Sequence, residues 1–354
     1  MVEIATNITV NTNMEKETVA VVILNWNGVA FLQKFLPTVL KYSQESTVII
    51  ADNASTDESV HWLKTNYPEL TVVQNNENGG FAKGYNDALK KIDATYYLLL
   101  NSDVEVTENW LVPLISCMKD QSIAACQPKI NAFQDKTLFE HAGAAGGYID
   151  QLHYPFCRGR IMNHVENDSN QYDYPSKVFW TSGACMLIRS EVYWKLEGFD
   201  ERFFAHMEEI DLCWRIQRLG YTLMVVPSSF VYHVGGGTLN YNSPKKTYLN
   251  FRNSLLMIHK NQTSFVGLVI LRRLLLDGIA GAMYVAKGQF NHCFAIIKAH
   301  FSFYSMLPSS LRERKKWKQL PNKATNGIYK GSILWAVFFQ RITTFSKLNQ
   351  RKLN

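Results

Sequence analysis

Residues 19–28 read Val-Ala-Val-Val-Ile-Leu-Asn-Trp-Asn-Gly. Six consecutive apolar side chains suit a strand covered on both faces, because alternation disappears when neither face meets water. The polar turn Asn25-Trp26-Asn27-Gly28 follows at once. Phe31, Leu32, Phe35, Leu36, Val39 and Leu40 then recur at helical spacing. The unit repeats downstream. Residues 48–51 (VIIA) precede a helical stretch after Thr56, residues 71–73 precede a helix over 82–91, and residues 96–100 (YYLLL) precede a helix over 110–118. A βαβαβαβ order predicts an α/β fold with a mostly parallel central sheet and helices on both faces. Ligands of such sheets bind beyond the carboxyl ends of the strands, so the polar turns there are the places to look for chemistry.

Residues 131–178 are rich in Gly, Asn, Asp and Tyr and read as loops. Strand character returns over 178–189, a short helix fits 191–196, and a helix over 208–219 stops at Gly220. Further strands fit 222–226 and 230–232, after which the pattern turns helical.

Composition narrows the class. Of 354 residues, 47% are apolar and 19% charged, which excludes a disordered or fibrous chain. Net charge is +7 but unevenly spread. Residues 1–244 carry 18 Lys and Arg against 28 Asp and Glu; residues 245–354 carry 19 against 2. The reading is three regions: a flexible polar leader over 1–17, an acidic body over 18–244, and a basic helical region over 245–354. Six cysteines without a C-x-x-C pair read as free thiols in a reducing compartment. No uncharged apolar stretch of about 18 residues occurs, so a membrane span is not expected. The basic region, with Arg272, Arg273, Arg312, Arg314, Lys315, Lys316 and Lys318, suits a helix lying on an anionic bilayer surface, or else a helix packed on the body. Nucleic acid is not expected, since no recognisable binding module accompanies the charge.

Four polar clusters close the strands: Asn25 to Gly28, Asp52-Asn53-Ala54-Ser55-Thr56-Asp57, residues 78–86 (NGGFAKGYN), and Asn101-Ser102-Asp103. Asp52 is placed to accept hydrogen bonds from a base or a ribose, while Ser55 or Thr56 suits a helix cap. Gly79 and its neighbours allow a backbone to approach a ligand closely, or simply turn the chain. Asp103 offers a carboxylate of the kind that holds a hard divalent cation together with phosphate oxygens. No dinucleotide or P-loop fingerprint is present.

The ordered set DNASTD (52–57), NGGFAKGYN (78–86), LLLNSD (98–103), WTSGACMLIR (180–189), GFDERFFAHMEEIDLCWR (198–215) and YHVGGGT (232–238) resembles glycosyltransferase family 2, nearest its bacterial rhamnosyltransferase-like members. The resemblance spans about residues 18–260 and implies the GT-A fold and inverting, nucleotide-sugar-dependent transfer. By position it implies that Asn25, Asn27, Asp52, Asn53, Gly79, Lys83, Asn86, Asn101, Ser102 and Asp103 bind the nucleotide-diphosphate sugar. Asn101 stands where the family's metal-binding D-x-D has its first aspartate. Asp103 and His233 are the implied ligands of Mg²⁺ or Mn²⁺, with a packed core histidine as the alternative for His233. Glu208 and Glu209 match the family's acidic pair, and Glu209 is the preferred general base.

The first turn of a helix favours an ionised carboxylate at Glu209, although acidic residues stand there for stability alone as well. Asp211 suits a pair with Arg215. Trp180, Ser182 and Gly183 are the implied acceptor floor, and Trp180 suits either stacking on a sugar or core packing. The implied acceptor is a glycan or lipid-linked saccharide used in surface polysaccharide synthesis, on the cytoplasmic face of the membrane. Two other classes remain open: a sugar nucleotidyltransferase, which needs a basic phosphate loop that Asn25 to Gly28 lacks, and a non-catalytic sugar-binding scaffold.

Overall fold

The computed structural model describes residues 17–235, 243–321 and 325–354. The expected leader, apart from Glu17, and the last residues of the YHVGGGT motif lie outside them. β1 (Val19–Asn25), α1 (Val29–Tyr42), β2 (Thr47–Asp52), α2 (Ser59–Asn66), β3 (Thr71–Gln74), α3 (Gly80–Leu89) and β4 (Tyr96–Asn101) alternate as the pattern predicts. β1 lies parallel between β2 and β4, with Ile23 opposite Ile50 and Leu100. Ala20, Val22 and Leu99 enter one core layer and Val21, Ile23 and Leu98 the other. Burial on both faces is the reason the β1 run does not alternate.

β5 (Val104–Val106), α4 (Leu111–Cys117) and β6 (Ile123–Ala132) follow. The stretch expected to be loops contains β7 (Gly147–Asp150), β8 (Pro155–Cys157), β9 (Arg160–Ile161), β10 (His164–Val165) and β11 (Ser176–Lys177). Strands of two to four residues are too short to display a period, which is why the sequence reads as irregular there. β12 (Cys185–Arg189), α5 (Ser190–Lys195), α6 (Glu208–Leu219) and β13 (Thr222–His233) complete the body. The two strands expected over 222–232 are one strand, with a register shift between Val226 and Phe230 where Pro227 offers no donor.

The main sheet runs β11-β13-β6-β12-β4-β1-β2-β3, with β5 on β13. Its parallel half is β4-β1-β2-β3. The sheet as a whole is mixed, because β12 runs antiparallel between β4 and β6. The chain enters β12 from the carboxyl edge of β4, where Asn101 donates its N–H to the Ala184 carbonyl at 3.0 Å. Residues 182–184 thus lie beside residues 101–103.

The C-terminal residues form α7 (Pro244–Asn261), α8 (Val266–Ala286), α9 (Phe290–Ser305), α10 (Leu307–Lys318), β14 (Ile328–Tyr329) and α11 (Ile333–Phe338). Leu255 and Ile258 of α7 share a core with Leu99 and Leu212, and β14 pairs with β7 in the small sheet. Several cations of this region are engaged: Arg273 donates to the Leu152 and His153 carbonyls, Arg314 to those of His259 and Gln262, and Lys316 pairs with Glu197. Arg272, Arg312, Lys315 and Lys318 are exposed. Among the described residues, no helix is long and apolar enough to cross a membrane. All six cysteines are free.

Candidate active site

The carboxyl ends of β1, β2 and β4 open into a cleft of about 440 Å³. Asn27, Asn53, Asn101, Ser102, Asp103, Ser182, Gly183, Glu208, Glu209 and His233 all line it. The structure therefore gathers ten of the sixteen candidate residues around one space. It leaves Asn25, Asp52, Gly79, Lys83, Asn86 and Trp180 off the wall, with Asp52 and Asn25 directly behind it.

The β1 and β2 turns are laced together. Asn27, at φ 50°, accepts from the N–H groups of Thr56 (2.7 Å) and Asp57 (3.2 Å). Asn25 is fully buried and donates to Asp52 Oδ1 at 3.2 Å and Ser55 Oγ at 3.1 Å. Asp52 Oδ2 accepts from Ser55 N–H. With 1% exposure, Asp52 braces the turn from behind the cleft lining. Neither Ser55 nor Thr56 caps α2, which begins at Ser59. Asp57 accepts from Ser59 N–H and from Val29 N–H at the start of α1. Burial raises its pKa, but those donors hold it below the usual carboxylate range.

At α3, Gly80 has φ +80°, and a Cβ there would stand 2.4 Å from the Phe204 carbonyl oxygen. That close approach lets Phe81 N–H bond the same oxygen at 2.7 Å, which fixes the 204–207 turn ahead of α6. Gly79 lies outside the wall. Lys83 is held by Glu77 and Asp87. Asn86 is buried, and its Oδ1 accepts from Tyr193 Oη–H (2.6 Å) and Phe199 N–H (3.0 Å). All three stand outside the cleft lining. Trp180 takes the core-packing alternative: 3% exposed, it donates from Nε1 to the Tyr148 carbonyl at 3.0 Å and packs against Gly147.

The β5–β13 pairing sets His233 opposite Val104. His233 Nε2 lies 3.1 Å from Asp103 Oδ1 and 3.4 Å from Asn101 Nδ2, while Nδ1 lies 3.5 Å from Glu140 Oε1. Burial opposes a charge on the ring, but the Glu140 and Asp103 carboxylates outweigh it and raise its pKa to about 10. Among the described residues, no three His, Cys, Asp or Glu side chains converge as a closed metal cage. Asp103 and His233 instead form an open pair of one carboxylate and one imidazole at the cleft. Once a cation displaces the ring proton, this donor set fits a divalent ion that draws its remaining oxygens from a phosphate ligand and water. Glu140, on the far side of the ring, orients the imidazole.

Glu208 and Glu209 open α6, after Met207 in the left-handed region at φ 74°. The Oε2 atom of each is buried without a hydrogen-bond partner. Burial, reinforced by the Glu209 charge, pushes the Glu208 carboxyl well above its usual range. Burial also pushes Glu209 up to about 7. A helix terminus does not offset this: it contributes about 0.3–1 kcal/mol, less than desolvation costs a buried carboxylate. Asp211, fully buried, pairs with Arg215 at 3.0 and 2.9 Å.

The cleft also holds residues the sequence reading passed over: Trp26, Phe204, His206, Lys245 and Lys246. An exposed tryptophan in a strand-end turn was the available signal for Trp26. Lys245 and Lys246 arrive only through the packing of α7, and no local pattern announces that.

The family model described as "Glycosyl transferase family 2" matches residues 20–197. An N-acetylglucosaminyl-diphospho-decaprenol L-rhamnosyltransferase of Mycobacterium tuberculosis is 24% identical over 229 residues, covering 60% of this chain and 75% of that protein. Rhamnosyltransferase WbbL of Escherichia coli is 22% identical, covering 61% and 83%. Among solved structures, GalNAc-T7 with UDP, GalNAc and Mn²⁺ superimposes with a TM-score of 0.57 at 16% identity, over 89% of this chain and 60% of that one. The mannosyltransferase PcManGT of Pyrobaculum calidifontis, with GDP-Man and Mn²⁺, gives 0.50 at 13% identity, over 82% and 88%. These likenesses establish the shared fold.

Proposed function

Since the chain belongs to glycosyl transferase family 2, we propose that its cleft transfers a sugar from a nucleotide-diphosphate donor to an acceptor hydroxyl, with inversion. The observation that carries this reading is the meeting of two groups in one space. The Asp103–His233 pair borders the cleft, and so do the two carboxylates with unpartnered Oε2 atoms.

The donor's diphosphate lies toward Asn101, Ser102, Asp103 and His233, with Lys245 and Lys246 adding positive charge. Asp103 and His233 would hold a divalent cation, Mg²⁺ or Mn²⁺, which would supply charge neutralisation for the departing diphosphate. Trp26, Asn27 and Asn53 border the side left for the nucleoside. Glu209 takes the proton of the acceptor hydroxyl. The freed oxygen forms a bond to the anomeric carbon from the face opposite the diphosphate, and the carbon–oxygen bond to phosphate breaks with its electron pair on the leaving group. A carboxyl that titrates near neutrality suits a base working near neutral pH. Glu208, held protonated, keeps a second negative charge away from the base. Ser182 and Gly183 form the floor on the acceptor side.

Catalysis belongs to residues 18–244, with the two lysines of α7 completing the cleft. The positive charge of residues 245–354 supports a peripheral seat on the inner face of an anionic membrane, beside a lipid-linked acceptor. The rhamnosyltransferase relatives make a deoxyhexosyl nucleotide the first donor to try. Family membership favours a sugar transferase over a nucleotidyltransferase or a scaffold. The test is a thermal-shift panel of nucleotide sugars with Mn²⁺ or Mg²⁺, followed by anomeric assignment of the product by NMR. Product of retained configuration overturns the single-displacement reading. No shift with any donor overturns the nucleotide-sugar reading.

A further inference from the structure

Beside the cleft, α7 and α9 enclose a second groove of about 540 Å³. Its walls are apolar, with Leu249, Phe294 and Ala295 among them, while Lys245 and Lys298 supply ammonium groups and Asn291 stands at the rim. Lys245 also borders the catalytic cleft, so the two spaces share a wall. Phe294 belongs at once to the groove and to an exposed apolar stripe on α9 that includes Phe290, Ile297 and Phe301.

α8 carries a matching stripe. Leu268, Leu271, Leu275 and Ile279 fall three or four residues apart and point to solvent, opposite Arg273, Asp277 and Gly281, which are buried. Exposure reaches 82% at Phe265, 72% at Phe301 and 63% at Leu275. So much unpartnered apolar surface on two adjacent helices is not a solvent-facing design. Every exposed Lys, Arg, Asp or Glu from 266 to 305 is positive: Arg272, Lys287 and Lys298. Asp277, the one acid in the hairpin, is fully buried beside Arg273 and His300. An apolar face fringed by cations matches a layer of hydrocarbon under anionic headgroups. A second copy of this chain matches poorly, since a twofold contact would set like charges against one another.

We propose that this groove binds the apolar chain and phosphate of a polyprenyl phosphate, the class of carrier that would bring the acceptor, drawn from a bilayer on which the α8–α9 face rests. The proposal builds on the lipid-linked acceptor suggested above and adds the place where that lipid lies. The hydrocarbon leaves the bilayer past Phe294 and lies along Leu249 and Ala295. Its phosphate sits between Lys298 and Lys245, and the saccharide beyond it enters the cleft.

The experiment is vesicle flotation of the full chain without donor. The vesicles are phosphatidylcholine alone, or with a few mole per cent of a polyprenyl phosphate, or with the same fraction of phosphatidic acid. Wild type is expected to bind the polyprenyl phosphate vesicles about tenfold better than those with phosphatidic acid. Asn291→Trp, which fills the groove from an exposed position, is expected to lose that preference and keep the binding to phosphatidic acid vesicles. Leu275→Glu with Phe301→Glu is expected to lose vesicle binding altogether, with its melting curve unchanged. Equal binding to the two phosphate lipids overturns the groove assignment, as does an unaffected Asn291→Trp protein. Undiminished flotation of the double-glutamate protein overturns the bilayer face. So does a wild-type dimer, seen by light scattering, that the double substitution dissociates. Donor titration by calorimetry runs separately, so the failure of this proposal and the failure of the transferase reading give different results.

Discussion

Asp211 on α6 and Lys260 on α7 meet at 2.7 Å, and neither side chain is more than 1% exposed. The same ammonium reaches Asp200 Oδ2 at 2.8 Å, and Asn261 donates to Asp211 Oδ1 at 2.7 Å. The helix that presents Glu208 and Glu209 is thus pinned by the first helix of the basic region. That coupling links the position of two carboxylates in the cleft to residues some fifty positions later in the chain.

Lys260→Met leaves the buried Asp200 and Asp211 with fewer cations than their charge needs. We expect a loss of about 3 kcal/mol in urea unfolding. Burial alone would raise the Asp200 pKa, but Lys260 and Arg202 hold it well below the usual carboxylate range. A depressed carboxyl contributes stability above its unfolded pKa and loses it as pH falls through the folded one. The variant should therefore show a flatter acid limb than wild type, and an unchanged limb would refute the coupling.

Glu209→Gln should lower turnover by about 10²–10⁴-fold while donor affinity, read by calorimetry, stays the same. In the wild type, kcat/KM should climb as pH rises through about 7, where Glu209 loses its proton. The stability consequence has the opposite sign. A carboxyl whose folded pKa lies above its unfolded one stabilises the fold at low pH, and that contribution disappears as pH rises through the folded value. At pH 8 the glutamine protein should melt higher than wild type. Near-normal turnover in Glu209→Gln would remove this residue as the base.

Asp103→Asn keeps the shape of the side chain and removes its charge. It should abolish the Mn²⁺-dependent part of donor binding, and chelation of the metal should do the same to the wild type. His233→Gln should weaken that binding less, since a neutral nitrogen ligand holds a hard cation less strongly than a carboxylate does. Donor binding that stays indifferent to metal in all three proteins would sink the assignment of this pair.

Trp180→Phe removes the hydrogen bond to the Tyr148 carbonyl and part of a buried ring. The expected cost is about 1–3 kcal/mol of stability, with acceptor KM unchanged. A raised KM at wild-type stability would return Trp180 to the sugar face.

Much of this molecule is legible in local pattern. The run from Val19 to Leu24 marks a strand buried on both faces, and the helix from Glu208 to Leu219 ends where Gly220 takes φ +98°. Each such feature is set by neighbours a few residues away, so periodicity and capping report it. Asn27, Asn53, Asp103 and Glu209 stand at ends of such elements, and that position alone singles them out.

What local pattern could not supply is the direction of side chains and the company they keep. Asp52 and Asn53 are adjacent in sequence, yet one braces a turn and the other borders the cleft. Trp180 fitted a wall or a core equally well until Gly147 and Tyr148 closed over it. The acidity of Glu209 depends on how much water the 204–207 turn and its neighbours exclude, which a helix dipole argument does not measure. Strands and helices follow from interactions between near neighbours, which the order of residues encodes directly. Burial, charge balance and the sharing of one cleft by Asp103, Glu209 and Lys245 arise between residues more than thirty positions apart, and only packing in three dimensions brings those residues together.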